Sequence, residues 1–262
     1  MTARRGGVQL GGGAIVILNL YVVLTGRDPQ EVLQEIESAQ PAPSAAQASQ
    51  PTDELADFIS VVLADTEDTW NPIFRSLGGQ YREPTLVLFT DAVESACGYT
   101  TAASGPFYCP ADQQVYIDLG FYRELRDRFG APGDFAQAYV VAHEVGHHVQ
   151  NLLGTAGEVH RRQRQAGPTE SNELSVRLEL QADCLAGVWG YHADRSRQLV
   201  EQGDVEEGLA AAAAIGDDRI ARMSGQRVNP ESWTHGSSAQ RVEWFRRGLS
   251  TGDLAQCDTF GR

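Results

Sequence analysis

The chain has 262 residues, enough for one sizeable domain with an appendage and a substantial buried core. A formal net charge of −14 argues against a nucleic-acid partner, because the phosphate backbone demands a basic surface, and disfavours close contact with anionic lipid heads. Four cysteines, an even number, are compatible with pairing in an oxidising compartment.

The front of the chain reads as a membrane anchor. Arg4 and Arg5 precede a stretch without charge from Gly6 to Gly26, about twenty residues and long enough to cross a bilayer as a helix, although Asn19 and the glycines weaken it. No small-x-small cleavage site follows, and the positive-inside rule puts Arg4 and Arg5 in the cytoplasm and everything after Arg27 outside it. A cleaved signal peptide is the rival reading. Residues 28–52, with Pro41, Pro43 and Pro51 among Ala, Ser and Gln, cannot build a core and read as a flexible tether. The expected organisation is a cytoplasmic stub and transmembrane anchor over 1–27, the tether over 28–52, and a folded body over 53–262.

Within that body, periodicity predicts a helix near Asp53 to Leu77, a strand from Thr85 to Thr90, a strand from Gln114 to Asp118 and a helix from Phe121 to Phe129. Further helices are expected from about Asp134 to Leu153, across 170 to 200 and across 204 to 223. The class is therefore α+β with helices in excess. Gly154 can stop the central helix, Trp244 and Phe245 on the closing helix read as core anchors, and Gln114–Asp118 is a candidate edge strand for pairing with an extended peptide. A purely structural strand is the alternative.

The central helix carries His143-Glu144-Val145-Gly146-His147, an H-E-x-x-H pattern in an apolar run. Four residues of α-helix turn through about 400°, so the two imidazoles lie one above the other and can grip one metal ion, while Glu144 leans toward a water without occupying a coordination position. Two histidines leave a catalytic zinc under-held, since such sites use three protein ligands and an open position. Glu179 is the candidate third ligand. It sits with Asp183 among Leu174, Leu178, Leu185 and Trp189 at helical spacing, which places both acids on the inner face of a second helix. Asp183, one turn on, can accept the outer N–H of a ligand histidine, His143, and fix its tautomer. Read blandly, the two acids are solvated helix carboxylates, as Glu170 and Glu173 are taken to be.

These residues define a chemistry. Zinc lowers the pKa of a water it binds to near 7, and Glu144 acts first as base toward that water and then as acid toward the departing amine. A donor to the developing oxyanion is still needed. His235, in the turn Trp233-Thr234-His235-Gly236-Ser237-Ser238, is the candidate, with Arg241 near enough to orient it or share the charge; a capping turn with an idle imidazole is the alternative. Tyr116 and Tyr139 are weaker candidates. His148 points about 100° away from His147, and His160 and His192 read as solvated or core-edge residues. For the cysteines the favoured pairs are Cys97 with Cys109 and Cys184 with Cys257, against a second zinc site that lacks C-x-x-C spacing.

The runs His143-Glu144-Val145-Gly146-His147-His148-Val149-Gln150, Glu179-Leu180-Gln181-Ala182-Asp183-Cys184-Leu185-Ala186-Gly187, Gly105-Pro106-Phe107-Tyr108-Cys109-Pro110-Ala111-Asp112 and Thr234-His235-Gly236-Ser237-Ser238 together resemble the bacterial membrane-anchored neutral zinc metallopeptidases, of the gluzincin class. The resemblance implies a zincin-type zinc peptidase acting on protein or peptide outside the cytoplasm, with His143, His147 and Glu179 as ligands and Glu144 as base. A similar His-to-Arg turn occurs in related prenyl-protein and heat-shock membrane proteases. A non-enzymatic, zinc-stabilised partner-binding module is the competing function, and Glu144 discriminates, because a scaffold has no need of a carboxylate beside an open metal position.

Overall fold

A computed structural model describes residues 53–101 and 105–261. The expected stub, anchor and tether over 1–52 lie outside the described residues. Among the described residues no helix is long and apolar enough to cross a membrane.

The body is helix-rich α+β. The first helix, α1 (Asp53–Ser76), buries Ile59, Val62, Leu63, Trp70 and Phe74 on one side. Five short strands follow: β1 (Thr85–Phe89), β2 (Ala92–Ser95), β3 (Gly98–Thr101), β4 (Phe107–Cys109) and β5 (Gln114–Asp118). They make a three-stranded sheet in the order β1-β5-β4 and a separate β2-β3 hairpin. β1 runs parallel to β5 with Val87 opposite Tyr116, and β4 runs antiparallel to β5 with Phe107 opposite Tyr116. The expectation of β5 as an open edge is thereby corrected. β5 is flanked on both sides, its Val115, Tyr116, Ile117 and Asp118 are buried, and the outer strands are β1 and β4. Strands β2, β3 and β4 escaped the sequence reading because three or four residues between turns are too few to show an alternation.

Helix α2 (Phe121–Asp127) leads to α3 (Asp134–Leu152), which carries the His143-Glu144 run and is buried on almost every side between α1, α5 (Pro168–Arg197) and α6 (Asp204–Ala214). Gly154 does end this region, in a left-handed conformation that launches α4 (Thr155–Gln163). The single helix expected over 204–223 is two, α6 and α7 (Asp217–Met223). The break falls at Gly216, whose extended backbone lies so close to Ser238 that a Cβ there would sit 2.3 Å from the Ser238 nitrogen. The last helix, α8 (Ser238–Thr251), starts with a Ser237/Gln240 capping box, which satisfies two otherwise unpaired N–H groups. Phe245 is fully buried as expected, whereas Trp244 is half-buried and carries Arg247 stacked at 4.2 Å.

Both favoured cysteine pairs are bonded. Cys97–Cys109 joins the tip of the β2-β3 hairpin to the end of β4, and Cys184–Cys257 ties the C-terminal turn to α5.

Candidate metal centre

Two helices bring the site together. α3 crosses α5 at Gly146, where an added Cβ would lie 2.9 Å from the Ala182 carbonyl oxygen. Only a residue without a side chain allows this approach, and it faces His143 and His147 toward Glu179 on the other helix. The His143 Nε2 is 3.2 Å from one Glu179 oxygen and the His147 Nε2 is 3.3 Å from the other. One donor atom from each of the three residues lies within 4.8 Å of the others. Four donors held about 2.0–2.1 Å from zinc in a tetrahedron stand about 3.3–3.4 Å apart, so this spacing fits the ion.

The electrostatics fit it as well. Burial disfavours the imidazolium of His143, but the hydrogen bond and charge of Asp183, with the hydrogen bond to Glu179, outweigh it and raise its pKa to about 10. Burial likewise opposes charge on His147, and the charge and hydrogen bond of Glu179 overcome it and raise its pKa. Burial would raise the carboxyl of Glu179, yet the two imidazoles hold it well below the usual range. Buried groups that all favour a shared positive charge suit a divalent cation.

Beneath the cluster, Asp183 is fully buried and fully used. Its Oδ1 accepts from His143 Nδ1 at 2.9 Å, from the Tyr139 hydroxyl at 2.5 Å and from Arg241 Nη2 at 2.9 Å, while its Oδ2 accepts from Arg241 Nε at 2.9 Å. Arg241 is thus an internal counter-charge and not the partner of His235 that its spacing suggested. The sequence singled out Arg241 by its spacing from His235, but not its pairing with Asp183, 58 positions away.

A cleft of about 630 Å³ opens over the cluster. Glu144 lines it, almost buried, and burial raises its carboxyl above 4.5 against the opposing charges of His143 and His147. His235 lines it too. Its main-chain N–H and those of Thr234 and Gly236 all donate to Asp217 Oδ2, at 2.7, 2.9 and 2.9 Å, and its Nδ1 lies 3.2 Å from Asp217 Oδ1. Asp217, at the start of α7, is the orienting residue that sequence reasoning missed; only a fold that folds 217 back onto 235 reveals it.

The other candidates have structural partners. Tyr116 bonds to Asp112 and Gln114 and stacks on Phe107, away from the cluster. Tyr139 reaches the cleft, but its hydroxyl is committed to Asp183. His148 is buried between the Tyr108 hydroxyl and the Arg82 carbonyl. His192 meets the Gly252 carbonyl, and His160 is an exposed residue of α4 at the cleft rim. The apolar wall of the cleft comes from Phe121, Phe129, Val140, Ile215 and Ile220, and the outer strand β4 contributes Phe107 and Tyr108.

Known proteins point the same way. The chain is 49% identical over 259 residues to the uncharacterised protein YpfJ of Escherichia coli K12, covering 98% of this chain and 90% of that relative. It is 44% identical over 213 residues to the uncharacterised protein Rv2575 of Mycobacterium tuberculosis H37Rv, covering 78% and 71% respectively. No solved structure matches it. The family described as "Putative neutral zinc metallopeptidase" matches residues 2–260, almost the whole length, and the chain belongs to that family.

Proposed function

We propose that the protein is a zinc-dependent peptidase in which His143, His147 and Glu179 hold the metal and Glu144 is the general base. The convergence of three donors from two crossing helices, with a buried carboxylate one residue along from the first, carries this reading. A zinc ion there supplies a Lewis acid that brings the pKa of water near 7 and polarises the scissile carbonyl. Glu144 takes a proton from the attacking water and returns it to the departing amine. Asp183 keeps the His143 proton on Nδ1 and so leaves Nε2 free as donor. His235 lines the cleft with Nδ1 turned to Asp217, and its imidazolium form, which Asp217 favours, is the one that donates from Nε2 to the oxyanion. The outer edge of β4 pairs with the main chain of an extended protein or peptide substrate, which gives backbone recognition with little sequence choice.

We further propose a single-pass protein whose zincin-type body stands outside the cytoplasm, supported by the two disulfides and the uncharged stretch at 6–26. A reporter fused after residue 262 is expected to be active only as a periplasmic type; activity of a cytoplasmic reporter overturns the topology. The function is tested by Glu144→Gln, which should keep zinc and lose cleavage of casein by about 10²–10⁴-fold. Equal cleavage by both proteins removes Glu144 from its role, and no cleavage by either favours the partner-binding module.

A further inference from the structure

His147, the second imidazole of the cluster, has a partner of its own that the H-E-x-x-H pattern does not name. Its Nδ1 lies 2.9 Å from Oε1 of Gln150, a fully buried residue one turn along α3. A glutamine amide can be turned either way, so the contact alone does not say which atom carries the proton. The surroundings do. The Gln150 Nε2 is 2.7 Å from the main-chain carbonyl of Leu178, which only accepts, so the amide must place its NH2 there and its oxygen on His147. The second Nε2 hydrogen goes to Gln181 Oε1 at 3.1 Å, and the orientation of Gln181 is fixed in turn because its own Nε2 donates to the Cys257 carbonyl at 2.9 Å. Two main-chain carbonyls at the far ends therefore set the polarity of the whole relay. The proton of His147 must sit on Nδ1, and Nε2 is the one nitrogen that can offer a lone pair to the space shared with Glu179.

We infer that Gln150 is a positioning residue for His147, and that the disulfide-tied C-terminal turn, through the Cys257 carbonyl and Gln181, holds Gln150 in the orientation that makes His147 a ligand. His143 and His147 are thus served by separate devices, an ionised carboxylate for the first and a neutral amide relay for the second, both rooted on α5 between Leu178 and Asp183. The neutral relay orients His147 without adding a further negative charge to a cluster that already holds Glu179 and Asp183.

This inference rests on the metal reading, and its test separates the two. Zinc affinity of the full-length chain is measured by competition with a chromophoric chelator for wild type, Gln150→Met, which keeps length and removes both amide functions, and Gln181→Met, which removes only the far link. Gln150→Met is expected to bind zinc about 10–100-fold more weakly, and Gln181→Met less weakly than that but in the same direction. Long-range ¹H–¹⁵N correlation spectra of the histidine-labelled, zinc-loaded wild type are expected to show His147 with its proton on Nδ1, a readout independent of how any variant folds. Unchanged affinity in a folded Gln150→Met, or zinc on Nδ1 of His147, overturns the role of Gln150 while leaving a zinc protein. Failure of wild type to bind zinc overturns the metal reading and the inference with it.

Discussion

Arg241 and Asp183 form a two-pronged ion pair, both contacts at 2.9 Å, with each side chain almost wholly shielded from water. The pair makes α8 part of the floor of the cluster, since the same Asp183 carboxylate orients His143. Its strength lies in mutual dependence. Arg241→Met leaves a buried carboxylate without its counter-charge and is expected to cost about 3–5 kcal/mol, whereas adding Asp183→Leu to it should cost much less than the sum of the single changes. Urea unfolding of the four proteins of this double-mutant cycle checks it; additive losses contradict the pairing.

The His235 turn should show a pH-dependent anchor. The hydrogen bond to Asp217 raises the pKa of the half-exposed His235 above 6.5, so this contribution is complete below 6.5 and is lost as pH rises through the folded-state value. Burial would raise the Asp217 carboxyl, but the His235 contacts and the bond from the Gly236 N–H hold it below 3.8, so that contribution is complete above 3.8 and is lost as pH falls through the folded-state value. The two together are at full strength between about 3.8 and 6.5. The unfolding midpoint of wild type minus that of His235→Gln should be largest in this window and shrink at alkaline pH; a difference that grows with rising pH contradicts the arrangement.

Close helix crossings should tolerate no methyl group. Gly146→Ala meets the Ala182 carbonyl at 2.9 Å and is expected to cost about 1–3 kcal/mol, reduced by alanine's better helix propensity, and to weaken zinc binding. Gly248→Ala meets the Cys184 carbonyl at 1.9 Å and should cost more, since α8 must move off α5 and carry Arg241 with it. Denaturant midpoints rank the two; the reverse order refutes the crossing geometry.

The two disulfides should separate stability from activity. Cys184–Cys257 spans 73 residues and pins the tail to α5, so replacing both with Ala is expected to cost about 2–4 kcal/mol. Cys97–Cys109 spans only 12 and braces the strand that lines the cleft, so its removal should cost less stability and lower kcat/KM more. Paired unfolding and peptide-cleavage assays read both effects.

Much of the centre was legible because one helix imposes its own geometry. His143, Glu144 and His147 lie within a single turn, and Glu179 and Asp183 betray themselves as acids in an apolar helix face. The structure adds what only long-range contact can supply. Asp217 reaches His235 from 18 positions away, Arg241 reaches Asp183 from 58, and Gln181 meets the Cys257 carbonyl from 76. The helix break at Gly216 was missed because it is set by contact with Ser238, and β4 was missed because a three-residue strand has no periodicity to read.

Metal content bears most directly on the central claim. Elemental analysis of the purified full-length chain should give one zinc per molecule for wild type and close to none for His143→Ala and Glu179→Ala, with the folded content of each variant confirmed by circular dichroism. A wild type without zinc, or variants that keep a full equivalent, contradicts a centre built by α3 and α5 together.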